Sequence, residues 1–111
     1  MKRGDIMKKG DISTLKEFAA RLRKSLPEAQ VWAFGSRVRG DSDQESDLDI
    51  CVVVEQLDKK TRQIIRQTAW EIGFEYGLVL STVKYSRDAF ERGPCSASPL
   101  VKHILSEGVA A

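Results

Sequence analysis

The sequence predicts one α/β (α+β) domain, in which a small mixed β-sheet carries helices packed on one face. Its 111 residues are the common length of a single domain, and 41% of them are hydrophobic, which is enough for one sizeable core. Segments with apolar residues at helical spacing alternate with short apolar runs, in the order α-β-β-α-β-α. This mixture is typical of helices layered on a sheet.

The start of the chain is predicted to contain a lead-in and one helix. Residues 1–10 hold five charged residues without apolar periodicity, so we expect a flexible lead-in before a single domain at residues 11–111. From Asp11 onward, apolar residues recur at three- and four-residue spacing, which predicts a helix that Pro27 ends.

Two strands joined by a polar loop are predicted next. Residues 30–34 (QVWAF) are short, apolar and followed by Gly35-Ser36, which indicates a buried strand that enters a tight turn. The polar residues 37–46 predict a loop, with one helical turn near Ser36. Residues 47–55 (DLDICVVVE) begin with alternating acidic and apolar residues and end in an apolar run. This pattern indicates a strand that is solvated at its first end and buried at its second.

The second half of the chain is predicted to add two helices and a strand. Residues 58–76 have a helical stripe of apolar residues that ends near Gly77. Residues 78–85 (LVLSTVKY) read as a third strand. A hydroxyl cap at Ser98 followed by Pro99 is typical of a helix start and predicts the last helix.

Composition narrows the class of function. With 18 basic and 16 acidic residues the net charge is +2, so we expect no direct nucleic-acid binding. Cys51 and Cys95 lack the spacing of a zinc site, and we expect both to be reduced thiols. No apolar stretch is long enough for a membrane span, and the first residues lack a signal-peptide core. We expect a cytoplasmic protein with no membrane contact, as a possible homodimer or heteromer.

A cluster of polar residues between the first two strands predicts a metal-nucleotide pocket. Asp47 and Asp49 are two residues apart on one strand, so their side chains project to one face. Mg²⁺ suits such a pair because it is held by one or two carboxylates plus substrate phosphates. Two ions about 3.5 to 4 Å apart would also serve an in-line displacement at phosphorus. Gly35 lets the backbone approach a phosphate, Ser36 adds a hydroxyl, and Arg37 adds a guanidinium that is equally compatible with a solvated loop charge.

These residues resemble a known signature. The segment 35–50, GSRVRGDSDQESDLDI, is similar to the GSxxxG…SDxD motif of minimal nucleotidyltransferase (MNT) domains in the DNA polymerase beta-like nucleotidyltransferase superfamily. The resemblance covers nearly the whole chain and implies a polymerase beta palm-like fold. It also implies Mg²⁺-dependent transfer of a nucleoside monophosphate, AMP from ATP in the first place, to a protein or a small acceptor.

The resemblance implies roles for five residues and a kind of partner. Asp47 and Asp49 would be the catalytic residues that bind one or two Mg²⁺ ions, and Gly35, Ser36 and Arg37 would bind the nucleoside triphosphate. Many minimal members are antitoxins paired with a helical HEPN ribonuclease toxin. A HEPN-domain partner is therefore implied by analogy.

The sequence departs from the family pattern at one position. The family usually has a third acid on the next strand, where our alignment places Ser81, and residues 78–85 contain no acid. Two readings stay open. The chain is an active transferase, or it is a catalytically weakened nucleotide-binding or partner-binding antitoxin module that acts by complex formation.

Three further features have structural interpretations. We expect Trp32 and Trp70 to anchor the core, with a partner-facing position as the alternative for Trp70. Cys51 is expected to be a small buried hydrophobe. The run from Arg62 to Arg66 is expected to be a solvated helix face.

Overall fold

A computed structural model describes residues 7–40 and 47–111 of the chain. The parts of the predicted lead-in and polar loop at residues 1–6 and 41–46 lie outside the described residues. The helices are α1 (Lys9–Ser25), α2 (Ser36–Arg39), α3 (Lys59–Tyr76), α4 (Arg87–Glu91) and α5 (Pro99–Glu107), with a 3₁₀ turn at Pro94–Ala97. The strands are β1 (Gln30–Phe34), β2 (Leu48–Val54), β3 (Leu80–Ser86) and β4 (Val109–Ala110).

The four strands form one mixed sheet in the order β3-β2-β1-β4. β1 is antiparallel to both β2 and β4, whereas β2 and β3 are parallel and are connected through α3. The predicted mixed α/β class is therefore confirmed. β4 was not predicted, because two residues are too few to show a strand period. It adds to the β1 edge by pairing Val109 with Ala33 and Ala110 with Trp32.

Both faces of the sheet are covered by helices, which corrects the prediction of helices on one face. Even-numbered residues of β2, from Leu48 to Val54, belong to a core that α1 and α3 complete. Cys51 and Val53 face the other way, into a second cluster with residues of α4 and α5. Both faces are covered because the apolar run of β2 is unbroken and leaves no polar face for solvent. That second cluster contains Cys51, Val53, Phe90, Val101 and Ile104.

The residues that were predicted to begin and end the later helices do so in the structure. The Asp58 carboxylate accepts a hydrogen bond of 2.8 Å from the Thr61 amide and caps α3. Gly77 ends the same helix in the left-handed conformation, with φ of 65°. Ser98 caps α5 by accepting a hydrogen bond of 3.1 Å from the Val101 amide.

Two boundaries differ from the prediction. α1 begins at Lys9 rather than Asp11, and Met7 is buried in the main core, so residues 7–10 of the predicted lead-in have a defined place in the fold. β3 begins at Leu80 rather than Leu78, because the Leu78 amide donates to the Gly73 carbonyl and closes the end of α3.

Helices α1 and α3 pack side by side and are linked at their surface. Arg21 of α1 forms ion pairs of 2.9 Å with Glu17 and 3.0 Å with Glu75 of α3. These groups are solvated, so they add little to stability and mainly fix the relative position of the helices. Of the helices in the described parts of the chain, none combines the length and hydropathy that crossing a bilayer requires.

Candidate active site

The candidate site lies at one end of the sheet, where β1 ends and where β2 and β3 begin. Asp49 of β2 pairs with Phe34, the last residue of β1, and with Ser81 of β3. Residues opposite one another on neighbouring strands point to the same face of a sheet. The register therefore places the Asp49 carboxylate between a phenyl ring and a serine hydroxyl. Ser81, which our alignment puts at the position of the family's third acid, is thus the direct neighbour of Asp49 on β3.

The turn after β1 touches the Asp49 carboxylate. Gly35 has φ of 86° and ψ of −160°, a backbone conformation that side chains disfavour. A Cβ at this position would collide with Oδ2 of Asp49. The residue must be glycine for both reasons, and its missing side chain lets the loop close over the head of β2.

The short helix α2 fixes this turn. The amides of Val38 and Arg39 donate to the Gly35 carbonyl at 3.1 and 3.2 Å. Gly40 ends the helical turn in the left-handed conformation, with φ of 76°. Ser36, the first residue of α2, is partly exposed beside Gly35. The predicted pair of Gly35 and Ser36 is thus held rigidly next to Asp49.

Arg37, which was predicted as a phosphate contact, is turned toward Asp11 at the start of α1. Its Nη1 donates to both carboxylate oxygens of Asp11, at 2.9 and 3.1 Å. The two side chains are only 6% and 9% exposed, so this is a buried ion pair between α2 and α1. We assign Arg37 the role of positioning α2. Sequence reasoning did not find the partner Asp11, because no local signal joins residues so far apart in the chain.

The carboxylates of Asp47 and Asp49 interact electrostatically. Asp47 is exposed and Asp49 is partly buried. Burial raises the pKa of the Asp49 carboxyl above its ordinary value, and the negative charge of Asp47 raises it further. A cation between the two carboxylates would relieve both effects, and hard oxygen donors suit Mg²⁺. Within residues 7–40 and 47–111 no third His, Cys, Asp or Glu joins them to form a larger ligand cluster.

Replacement of Gly35 tests the close contact with Asp49. We expect Gly35→Ala to lower the free energy of unfolding by about 1 to 3 kcal/mol, because the positive φ and the collision with the carboxylate both add strain. Urea unfolding measures the change. The matched control is Gly10→Ala in α1, where a Cβ meets nothing within 4 Å. Equal effects of the two substitutions would contradict a special role for Gly35.

Substitution of Arg37, the partner of Asp11, tests the buried ion pair. We expect Arg37→Met to cost about 3 to 5 kcal/mol in the free energy of unfolding, because Asp11 is left buried and charged. The double variant Asp11→Leu/Arg37→Met should lose less than the single variant. Chemical denaturation of both, beside the exposed control Lys24→Met, gives the comparison. A single variant as stable as that control would show that the pair does not hold α2.

The raised pKa of Asp49 predicts a pH-dependent stability. The folded chain holds this proton more tightly than the unfolded chain, so the stability falls as pH rises from the ordinary pKa of 3.8 through the raised value. We therefore expect Asp49→Asn to melt at a higher temperature than the wild type at pH 7 in EDTA. The difference should shrink below pH 4. Thermal melts of both proteins, with Glu28→Gln as control, test this, and a lower melting temperature for Asp49→Asn at pH 7 would refute it.

The fold and site define a class that the comparisons confirm. Residues 12–109 match the family model described as "Nucleotidyltransferase domain". The match covers most of the chain, so this protein belongs to the nucleotidyltransferase domain family and is a nucleotidyltransferase. The resemblance that segment 35–50 carries is therefore confirmed at the level of the family.

Two relatives narrow the comparison. A protein of Methanocaldococcus jannaschii that is named a protein adenylyltransferase is 32% identical over 79 residues, which cover 68% of this chain and 80% of the relative. A Haemophilus influenzae protein, also named a protein adenylyltransferase, is 40% identical over 47 residues, which cover 41% of each chain. No solved structure gives a significant match.

Proposed function

We propose that this chain is a Mg²⁺-dependent protein adenylyltransferase that transfers AMP from ATP to a hydroxyl of an acceptor protein. The observation that carries the proposal is the contact of the Gly35 backbone with the Asp49 carboxylate, which joins the turn after β1 to the head of β2. A carboxylate beside an open glycine turn is an arrangement that suits a metal-bound triphosphate. The names of the two relatives support AMP and a protein as the transferred group and the acceptor class.

Each residue of the site has a proposed role. Asp47 and Asp49 would hold the metal and act as the catalytic carboxylates. Gly35, whose turn lies against Asp49, would bind the triphosphate through its backbone, and the Ser36 hydroxyl would donate a hydrogen bond to a phosphate oxygen. In the transfer, the acceptor oxygen forms a bond to the α-phosphorus while the bond to the leaving pyrophosphate breaks. Bound Mg²⁺ would neutralise charge on the triphosphate and on the leaving group.

The pairing of Ser81 with Asp49 favours a second candidate function. A carboxylate at position 81 would stand beside Asp49 and accept the proton of the attacking hydroxyl, but serine is a poor base. Nucleotide binding depends less on an acid at position 81 than activation of the acceptor hydroxyl does. The alternative is therefore a nucleotide-binding antitoxin module that acts by forming a complex.

The proposed partner is a HEPN-domain protein. The likeness of segment 35–50 to minimal nucleotidyltransferases supports this choice, and the relatives named as protein adenylyltransferases support a protein acceptor in general. In the transferase reading this partner receives AMP. In the alternative it is inhibited by binding alone, so the two readings differ in whether inhibition requires ATP.

Nucleotide binding is the first test of the proposed site. We expect MgATP to bind the wild type and to bind Asp47→Asn/Asp49→Asn at least ten-fold more weakly, because the variant loses both metal-binding carboxylates. Isothermal titration calorimetry measures this, with MgGTP titrated in parallel. Glu28→Gln, an exposed acid in the turn before β1, is the matched control. Unchanged affinity in the double variant would exclude Asp47 and Asp49 as the metal site.

Restoration of an acid at position 81 separates the two candidate functions. If Ser81 limits an active transferase, Ser81→Asp should increase label transfer from [α-³²P]ATP to a co-purified protein, by about 10²-fold or more for a positioned base. It should also raise the number of bound Mn²⁺ ions, counted by electron paramagnetic resonance. Ser81→Asn, which adds bulk without charge, is the control. More bound Mn²⁺ without any transfer would favour the binding module.

A further inference from the structure

A groove of about 480 Å³ runs between the second half of α3 and β3, outside the candidate active site. Its lining includes Trp70 and Phe74 of α3 and Val79 at the start of β3. These three side chains are 69%, 78% and 63% exposed. Single exposed apolar residues are ordinary, but a contiguous group is typical of an interaction site. Trp70 therefore takes the partner-facing position instead of anchoring the core.

The surface around the groove has an aromatic half and a basic half, and of the basic residues Arg66 lines the groove while Arg62 and Lys84 border it. Arg62, Arg66, Trp70 and Phe74 follow one another at four-residue spacing and so share one face of α3. Trp70 and Phe74 stack on each other, with ring centroids 5.7 Å apart. Arg66 also lines the groove, which makes the two halves continuous.

The basic half carries positive charge without a matching acid. Lys84 of β3 donates a hydrogen bond of 2.9 Å to Thr82, which lines the same groove. Burial lowers the pKa of Lys84, and the nearby charges of Arg62 and Arg66 lower it further. Within the described parts of the chain, none of these three cations forms an ion pair with a carboxylate. An acidic ligand would relieve their mutual repulsion.

The strand beside the groove has an open edge. β3 is the terminal strand of the sheet and, among the described residues, pairs only with β2. The outward N–H and C=O groups of such an edge can hydrogen-bond to an added strand. The groove thus offers backbone pairing on one side and a basic-aromatic helix face on the other.

We propose that this groove binds an extended acidic-apolar segment of a partner protein, which adds to the sheet along β3. Its acidic side chains meet Arg62, Arg66 and Lys84, and its apolar side chains cover Trp70 and Phe74. A second copy of the same face would bring these cations together, which disfavours a symmetric dimer here. A single-stranded nucleic acid is disfavoured because the two aromatic rings stack on each other and leave no separate platforms for successive bases.

The aromatic half of the groove ends close to the candidate active site. The Val79 carbonyl accepts a hydrogen bond of 2.9 Å from the Leu48 amide, next to Asp49. The groove lies on the α3 face of the sheet, and Asp49 and Ser81 point to the other face, so a protein bound in the groove would reach the carboxylates around the end of β3 and would then be a local acceptor. This consequence rests on the proposed function, whereas binding in the groove does not.

Peptide display tests the proposed ligand chemistry without nucleotide. Random twelve-residue peptides are selected on the wild type and depleted on Arg62→Glu/Arg66→Glu. We expect enriched sequences with acidic residues toward one end and alternating apolar residues toward the other. Their consensus peptide, followed by tryptophan fluorescence, should lose at least ten-fold in affinity for the depleting variant and for Phe74→Ser. Lys102→Glu, on the exposed surface of α5, is the control and should bind as the wild type does.

Separate experiments test whether the peptide pairs with β3 through its backbone and whether RNA or a second copy of the chain occupies the groove instead. N-methylation of alternate backbone amides of the consensus peptide should abolish binding in one of the two alternation frames. The proposal is overturned if selection yields no acidic-apolar consensus or if both methylated peptides bind normally. Tighter binding of a dodecauridylate RNA would overturn it too. So would a dimer in sedimentation that Phe74→Ser dissociates. Because ATP is absent throughout, failure here is distinct from failure of AMP transfer.

Discussion

The position of the two carboxylates depends on how β2 is buried. From Leu48 to Val54 the side chains of this strand enter one core or the other, except at Asp49. A strand packed on both faces has no room for a charged group in its middle, so acids lie at its ends, Asp47 and Asp49 at the first and Glu55 just after the last residue. At its first end the strand leaves the layers of helices and the turn after β1 lies against it. Burial of the rest of β2 is thus what fixes Asp49 beside Gly35.

This placement opposes the ionisation of Asp49. Asp49 is partly desolvated and faces the negative charge of Asp47, and both effects oppose its ionisation. The buried pair of Arg37 and Asp11 holds the adjacent helical turn in place, so the turn does not move away from Asp49. Relief of this repulsion would add to the binding energy of the proposed cation and its triphosphate. A carboxylate that the fold holds where its ionisation is opposed is therefore consistent with the proposed role in cation binding.

The parts of the site that the sequence predicted are those set by short spacing. The strand period predicted that Asp47 would lie near Asp49, and its charge does act on the Asp49 carboxyl, while Gly35 follows β1 directly. Ser81 pairs with Asp49 because the parallel strand β3 begins at nearly the same level as β2. The ion pair of Arg37 with Asp11 lies beyond such reasoning, since nothing local distinguishes a guanidinium that turns inward from one that faces phosphate.

Local sequence patterns also failed to predict how the second face of the sheet is covered and which surface charges lie together. The apolar run of β2 contained the signal for two covered faces, but the helices that cover the second face are short and have few periodic residues. The solvated face expected from Arg62 to Arg66 is indeed exposed. The sequence does not show that Arg62 and Arg66 lie near Lys84. These cations come together only because α3 packs beside β3 in the folded chain.

β3 has two properties that fit together. It contributes a hydroxyl where a carboxylate would complete the site, and it presents an open edge with basic and aromatic neighbours to the outside. A domain with a third carboxylate would activate any hydroxyl that reached the nucleotide. A domain without one depends more on holding its acceptor in place, since proximity alone supplies a large part of the rate of a bimolecular transfer. The weakness of position 81 as a base and the proposed binding of a partner in the groove on the other face of β3 therefore support the same proposal, a transferase whose selectivity comes from protein recognition.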